Sequence, residues 1–113
     1  MENQILELAD KLGKEIHQSA QASALRESKK ELDQHKDILD VIQAYQEQLD
    51  KVHKLEQENK PIEVPDKHRL QELHDKLVAS EVFKKYTAAQ LEYVDLMRKV
   101  NTALRKELAQ TES

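Results

Sequence analysis

A chain of 113 residues with one glycine, Gly13, and two prolines, Pro61 and Pro65, holds almost none of the residues that reverse a polypeptide sharply. Sheet proteins of this length need a turn after every short strand, so a β architecture is excluded and long helices are the alternative. The rest of the composition agrees. With 35% charged and 38% hydrophobic residues, the chain has the mixture found in exposed amphipathic helices. Eighteen basic against 22 acidic side chains leave a net charge of −4, which gives bulk attraction to nucleic acid or to an anionic membrane no support. Cysteine is absent, and with it go disulfides, thiolate zinc sites, thiol catalysis and cysteine-ligated iron–sulfur clusters. The amino-terminal residues interleave apolar side chains with Glu2, Glu7, Asp10 and Lys11, unlike a signal peptide. Nowhere does an apolar run approach the ~20 residues that span a bilayer. A cytoplasmic protein without a membrane segment is expected.

Apolar residues recur at three- and four-residue intervals along most of the chain. Ile5, Leu8, Leu12 and Ile16 form one stripe of a first helix. The stretch from Gln18 to Ala24 has no large apolar residue, and the stripe resumes out of phase at Leu25; Ser19 is a candidate N-cap, and a kink is expected there. A second change falls between Asp33 and Asp37, where Asp37 could cap a helix carrying Ile38, Ile42, Tyr45, Leu49 and Val52. That helix ends near Pro61 and Pro65, because proline lacks the helical N–H and restricts the residue before it. Asp66 then stands where an N-cap belongs, Leu70, Leu73 and Leu77 continue the pattern, and Ser80 is a further cap or a stutter. The last helix has strict four-three spacing at Val82, Tyr86, Ala89, Tyr93, Leu96, Val100 and Ala103, with Phe83, Met97, Leu104 and Leu108 widening its apolar face.

These boundaries describe one all-α domain of long amphipathic helices, a helical hairpin or bundle that oligomerises. Residues 1–59 form a first arm with kinks near 19 and 36, 60–65 a loop, 66–110 a second arm and 111–113 a tail. A hairpin so narrow buries little of its stripes, so at least a dimer is expected, with the interface drawn from Tyr86, Ala89, Tyr93, Leu96, Val100, Ile42, Tyr45 and Leu49. A compact monomeric bundle is the alternative, and it requires sharp bends at Ser19, Asp37 and Ser80.

Candidate chemistry is sparse. His17, His35 and His53 recur every eighteen residues, but that spacing separates neighbours by ~27 Å along an unbroken helix, too far to share an ion. Paired carboxylate–histidine motifs of metal-binding bundles are represented only by Asp50 with His53, and His68 with Glu72 reads as an exposed helix start. One glycine cannot build a phosphate-binding loop, and no nucleophile or zinc-protease signature is present. No catalytic residue, metal or cofactor is therefore assigned. The doublets Lys84-Lys85, Arg98-Lys99 and Arg105-Lys106 lie at multiples of seven and could meet RNA phosphates. Flanking charges at such positions more often pair with a neighbouring helix, and nucleic-acid binding is not expected.

The run from Ser80 to Asn101, SEVFKKYTAAQLEYVDLMRKVN, resembles the YlbF/YmcA family of small bacterial helical proteins. The layout of Ile5–Ile16, Ser19–Leu32 and Asp37–Leu49, and of Leu70, Leu73 and Leu77 after a polar loop, is similar as well, so the likeness covers nearly the whole chain. It implies an all-helical oligomer without enzymatic activity. It also implies protein partners in a regulatory complex that modulates ribonuclease-dependent mRNA maturation, and through it competence, sporulation and biofilm formation. The family's characterised complex is associated with cysteine-bound iron–sulfur clusters; without cysteine this chain cannot carry that chemistry. A self-associating structural or chaperone-like coiled-coil protein is the alternative reading, and RNA binding along the basic flank a third.

Overall fold

The structure, a computed structural model, describes residues 1–109; the expected tail at 111–113 and position 110 lie outside them. Five helices follow one another with no strand among the described residues: α1 (Glu2–Gln18), α2 (Ala20–Asp33), α3 (Lys36–Gln57), α4 (Val64–Val78) and α5 (Glu81–Ala109). Their contacts divide the chain into two compact units, one made of residues 1–28 with 87–109 and the other of residues 29–86.

The helix boundaries have local causes. Ser19 leaves the helical conformation, with φ −63° and ψ 155°, and its hydroxyl accepts the Ala22 N–H at 3.1 Å while donating to the Ile16 carbonyl at 2.6 Å. One side chain thus caps both the helix that ends and the helix that begins. Ser80 caps the start of α5, where its hydroxyl accepts the Phe83 N–H at 3.2 Å. The other two expected caps are displaced. His35, not Asp37, is the N-cap of α3, with Asp37 in the first turn, where its charge suits the helix dipole. Likewise α4 starts at Val64 with Glu63 as its N-cap, three residues before the cap read at Asp66, because proline is tolerated in a first helical turn and Pro65 lies inside the helix instead of before it.

The end of α3 is a Schellman closure. Asn59 has φ 57°, its N–H bonds the Glu56 carbonyl at 3.1 Å, and the Lys60 N–H reaches back to the Leu55 carbonyl at 2.9 Å. That pairing satisfies carbonyls that a helix otherwise leaves open.

In the unit of residues 29–86, α3 and α4 pack as an antiparallel pair. Leu32, Leu73 and Leu77 are its buried aliphatic side chains. Polar ties cross the pair: Gln48 Nε2 donates to the Asp66 carbonyl at 3.0 Å, and Lys51 Nζ to the Asp66 carboxylate at 2.8 Å. Lys85 Nζ meets Glu31 Oε2 at 3.1 Å and joins the first turns of α5 to the end of α2. In the unit of residues 1–28 and 87–109 the buried residues are small, namely Ala22, Ser28 and Ala89. The Ser28 hydroxyl is satisfied by donating to the Leu25 carbonyl at 3.0 Å. No residue of α1 is buried, and residues 101–109 are all exposed.

Candidate interaction surfaces

Each residue expected at an interface lies on a helix, where backbone geometry fixes the direction of its side chain. Ile42, Tyr45 and Leu49 of α3 are half-buried. Tyr45 faces His74 of α4, ring centroids 6.3 Å apart at 45°, and with Lys67, Leu70 and Gln71 these two border an open cavity of about 350 Å³. On α5, Tyr86, Tyr93, Leu96 and Val100 are half-buried and Ala89 is buried. A good part of that stripe is therefore covered within its own chain.

Tyr93 and Met97 make a ridge between two grooves in the unit of residues 1–28 and 87–109. One, about 480 Å³, is bordered by Gly13, Ile16 and His17 of α1 and by Ala22, Leu25 and Arg26 of α2. The other, about 320 Å³, runs along α5 past Val94, Arg98, Asn101 and Arg105. Both walls carry arginine and neither carries a carboxylate. Arg26 is oriented at the first groove by donating to the His17 carbonyl at 2.9 Å, with the His17 Nδ1 3.2 Å away.

Large apolar residues that stay exposed include Ile5, Leu6, Leu8 and Leu12 on α1, and Leu91, Val94, Leu104 and Leu108 on α5. The sequence pattern reads Ile5, Leu8, Leu12, Leu104 and Leu108 as stripe residues but places none of them at an interface, and it passes over Leu6, Leu91 and Val94. What the pattern lacked is which stripe the chain covers by itself.

The histidines are dispersed. His35 Nδ1 is 2.9 Å from the Glu31 carbonyl, His53 contacts Gln57, and His74 lies 3.7 Å from Asp75. Among the described residues no group of three or more His, Asp or Glu is gathered so that it could hold a metal ion. The basic doublets are largely engaged in ion pairs: Lys84 with Glu81, Lys85 with Glu31, and Arg98 and Lys99 both with Asp95. Two carboxyls are held below their usual range, Asp95 chiefly by the hydrogen bond from Arg98 and then that from Lys99, and Asp66 chiefly by the hydrogen bond from Lys51. No helix among the described residues is long and apolar enough to cross a membrane.

A family model described as Control of competence regulator ComK, YlbF/YmcA matches residues 5–109. No curated protein and no solved structure shows a match to the chain.

Proposed function

The chain belongs to the YlbF/YmcA family, linked to control of the competence regulator ComK, and from that premise we propose that it is a non-enzymatic cytoplasmic adaptor acting through bound proteins. The specific role we assign is a component of a complex that modulates ribonuclease-dependent mRNA maturation. The observation that carries this reading is the extent of the family match, residues 5–109 of 113, which takes in every helix. Two features of the surface support it. Apolar side chains stand exposed on α1 and on α5, a pattern that marks protein-binding faces more often than idle surface. The cations Lys84, Lys85, Arg98 and Lys99 are paired with carboxylates of the same chain, which leaves a phosphate backbone fewer of them to engage and favours protein over RNA as the ligand.

Affinity purification from the native cell, with quantitative mass spectrometry, tests the proposal. A ribonuclease or its regulatory subunits should be recovered reproducibly and be lost when Leu8 and Leu12 are replaced together by aspartate. Recovery of no protein but the bait itself would remove the adaptor role and leave the self-sufficient structural protein in its place.

A further inference from the structure

The larger groove of the unit of residues 1–28 and 87–109 is walled by three helices. Ile16 of α1, Leu25 of α2, and Tyr93 and Met97 of α5 supply its large apolar side chains, and Arg26 of α2 supplies a cation. Its volume of about 480 Å³ falls within the ~300–1,000 Å³ of ligand clefts, which are likewise mainly apolar with a few placed polar groups.

Arg26 is held without being neutralised. Its Nη1 donates to the His17 carbonyl at 2.9 Å, and His17 Nδ1 lies 3.2 Å from the same nitrogen. Neither partner is a carboxylate, the ion pairs of the described residues engage other cations, and the groove wall contains no acidic side chain. One nitrogen therefore fixes the side chain, while Nε and Nη2 remain to receive the two oxygens of a carboxylate in the fork geometry that guanidinium favours.

The placement of this cation narrows the ligand. Arg26 and Leu25 are sequence neighbours that both line the groove, so an occupant has to bring a carboxylate and a large apolar group close together. An aspartate or glutamate carries its carboxylate at the end of its own side chain and needs another residue for the apolar group. The last residue of a polypeptide carries both on one Cα, and capture of a C-terminal carboxylate is a recurring mode of peptide recognition.

Gly13 adds an independent observation. It lies inside α1, where glycine weakens a helix relative to alanine, and its backbone does not adopt positive φ. A Cβ placed there would meet nothing within 4 Å, so no packing in its own chain calls for glycine. It borders the groove, where the missing side chain leaves room for an occupant.

We propose that this groove binds the C-terminus of a partner polypeptide that ends in a large apolar residue, the terminal carboxylate pairing with Arg26 and the last side chain lying against Leu25 and Met97 in the space beside Gly13. The proposal rests on the adaptor reading for the protein nature of the ligand and names the part of the partner that is recognised.

Fluorescence anisotropy with the full chain is the test. Short labelled glycine/serine peptides ending in leucine, phenylalanine, serine or aspartate are compared as free acids and as C-terminal amides, with helicity monitored by circular dichroism. The leucine and phenylalanine acids should bind, and amidation should weaken them about tenfold or more, because a charge-assisted pair is lost. The serine and aspartate acids should bind about tenfold more weakly or worse. Arg26→Gln should erase the difference between acid and amide, and Arg26→Lys, which keeps the charge but not the fork, should retain part of it. Gly13→Leu fills open space, so it should keep full helicity and weaken the leucine and phenylalanine acids. Failure of those two acids to bind overturns the proposal, as does equal affinity for acid and amide, or a preference for the acid that survives Arg26→Gln. Dodecanoate is the competing source of a carboxylate on an apolar chain; if it binds and no peptide does, the groove belongs to an acyl ligand and the proposal falls. Recovery of the ribonuclease from cells, with no peptide bound in vitro, would remove this site and leave the adaptor role standing.

Discussion

Single residues settle where helices stop and which charges tie them together. Asn59 at φ 57° occupies the left-handed region, where a β-branched side chain clashes with the backbone and glycine does not. Asn59→Gly should leave stability unchanged or higher, and Asn59→Val should lower it by ~1–2 kcal/mol, read from chemical denaturation midpoints. The asparagine was in plain view in the sequence, but an Asn two residues ahead of a proline also suits an ordinary turn, and only the hydrogen bonds from the Asn59 N–H to Glu56 and from the Lys60 N–H to Leu55 identify the closure. Asp66 has a pH signature. Its folded pKa lies below the ordinary value, chiefly through the hydrogen bond from Lys51, so its contribution is present above the ordinary carboxyl range and is lost as pH falls through the depressed value. The gap in melting temperature between wild type and Asp66→Asn should be open at pH 7 and should close as pH falls through the depressed pKa of Asp66, below the ordinary carboxyl range; a gap constant over that span would separate Asp66 from the stability of the α3–α4 pair.

At the scale of elements, α3 and α4 are the best-secured part of the chain, because buried leucines and the Asp66 ties hold them together. Leu73 is 2% exposed, and Leu73→Ala removes its methyl groups and leaves a cavity. A loss of ~2–4 kcal/mol is expected, measured by urea unfolding followed by circular dichroism. Legibility differed from helix to helix. The start of α2 could be read from Ser19, a cap candidate beside a change of stripe phase, whereas Ser80 read equally as a cap or a stutter and only its hydrogen bond from the Phe83 N–H decides for the cap. The starts of α3 and α4 could not, because acidic residues are equally at home at the cap and in the first turn, and the difference between the two is a choice of backbone torsion that His35 and Glu63 made instead. The stripe of α1 was legible as an amphipathic face, yet nothing in its spacing tells whether the chain itself supplies the opposing surface.

For the molecule as a whole, a net charge of −4 conceals an acidic first helix and a basic last one. The sequence by itself determined the all-helical class, because one glycine and two prolines cannot build sheet turns and the three-four spacing of apolar residues has no other use. It also carried the family resemblance, which rests on helix phasing. The tertiary structure decided which stripes find cover: Leu73, Leu77 and Ala89 are buried while Ile5, Leu8 and Leu108 remain in water. The physical reason is that periodicity specifies a face on each helix, whereas burial depends on which faces meet, and that is a property of packing between segments far apart in the chain.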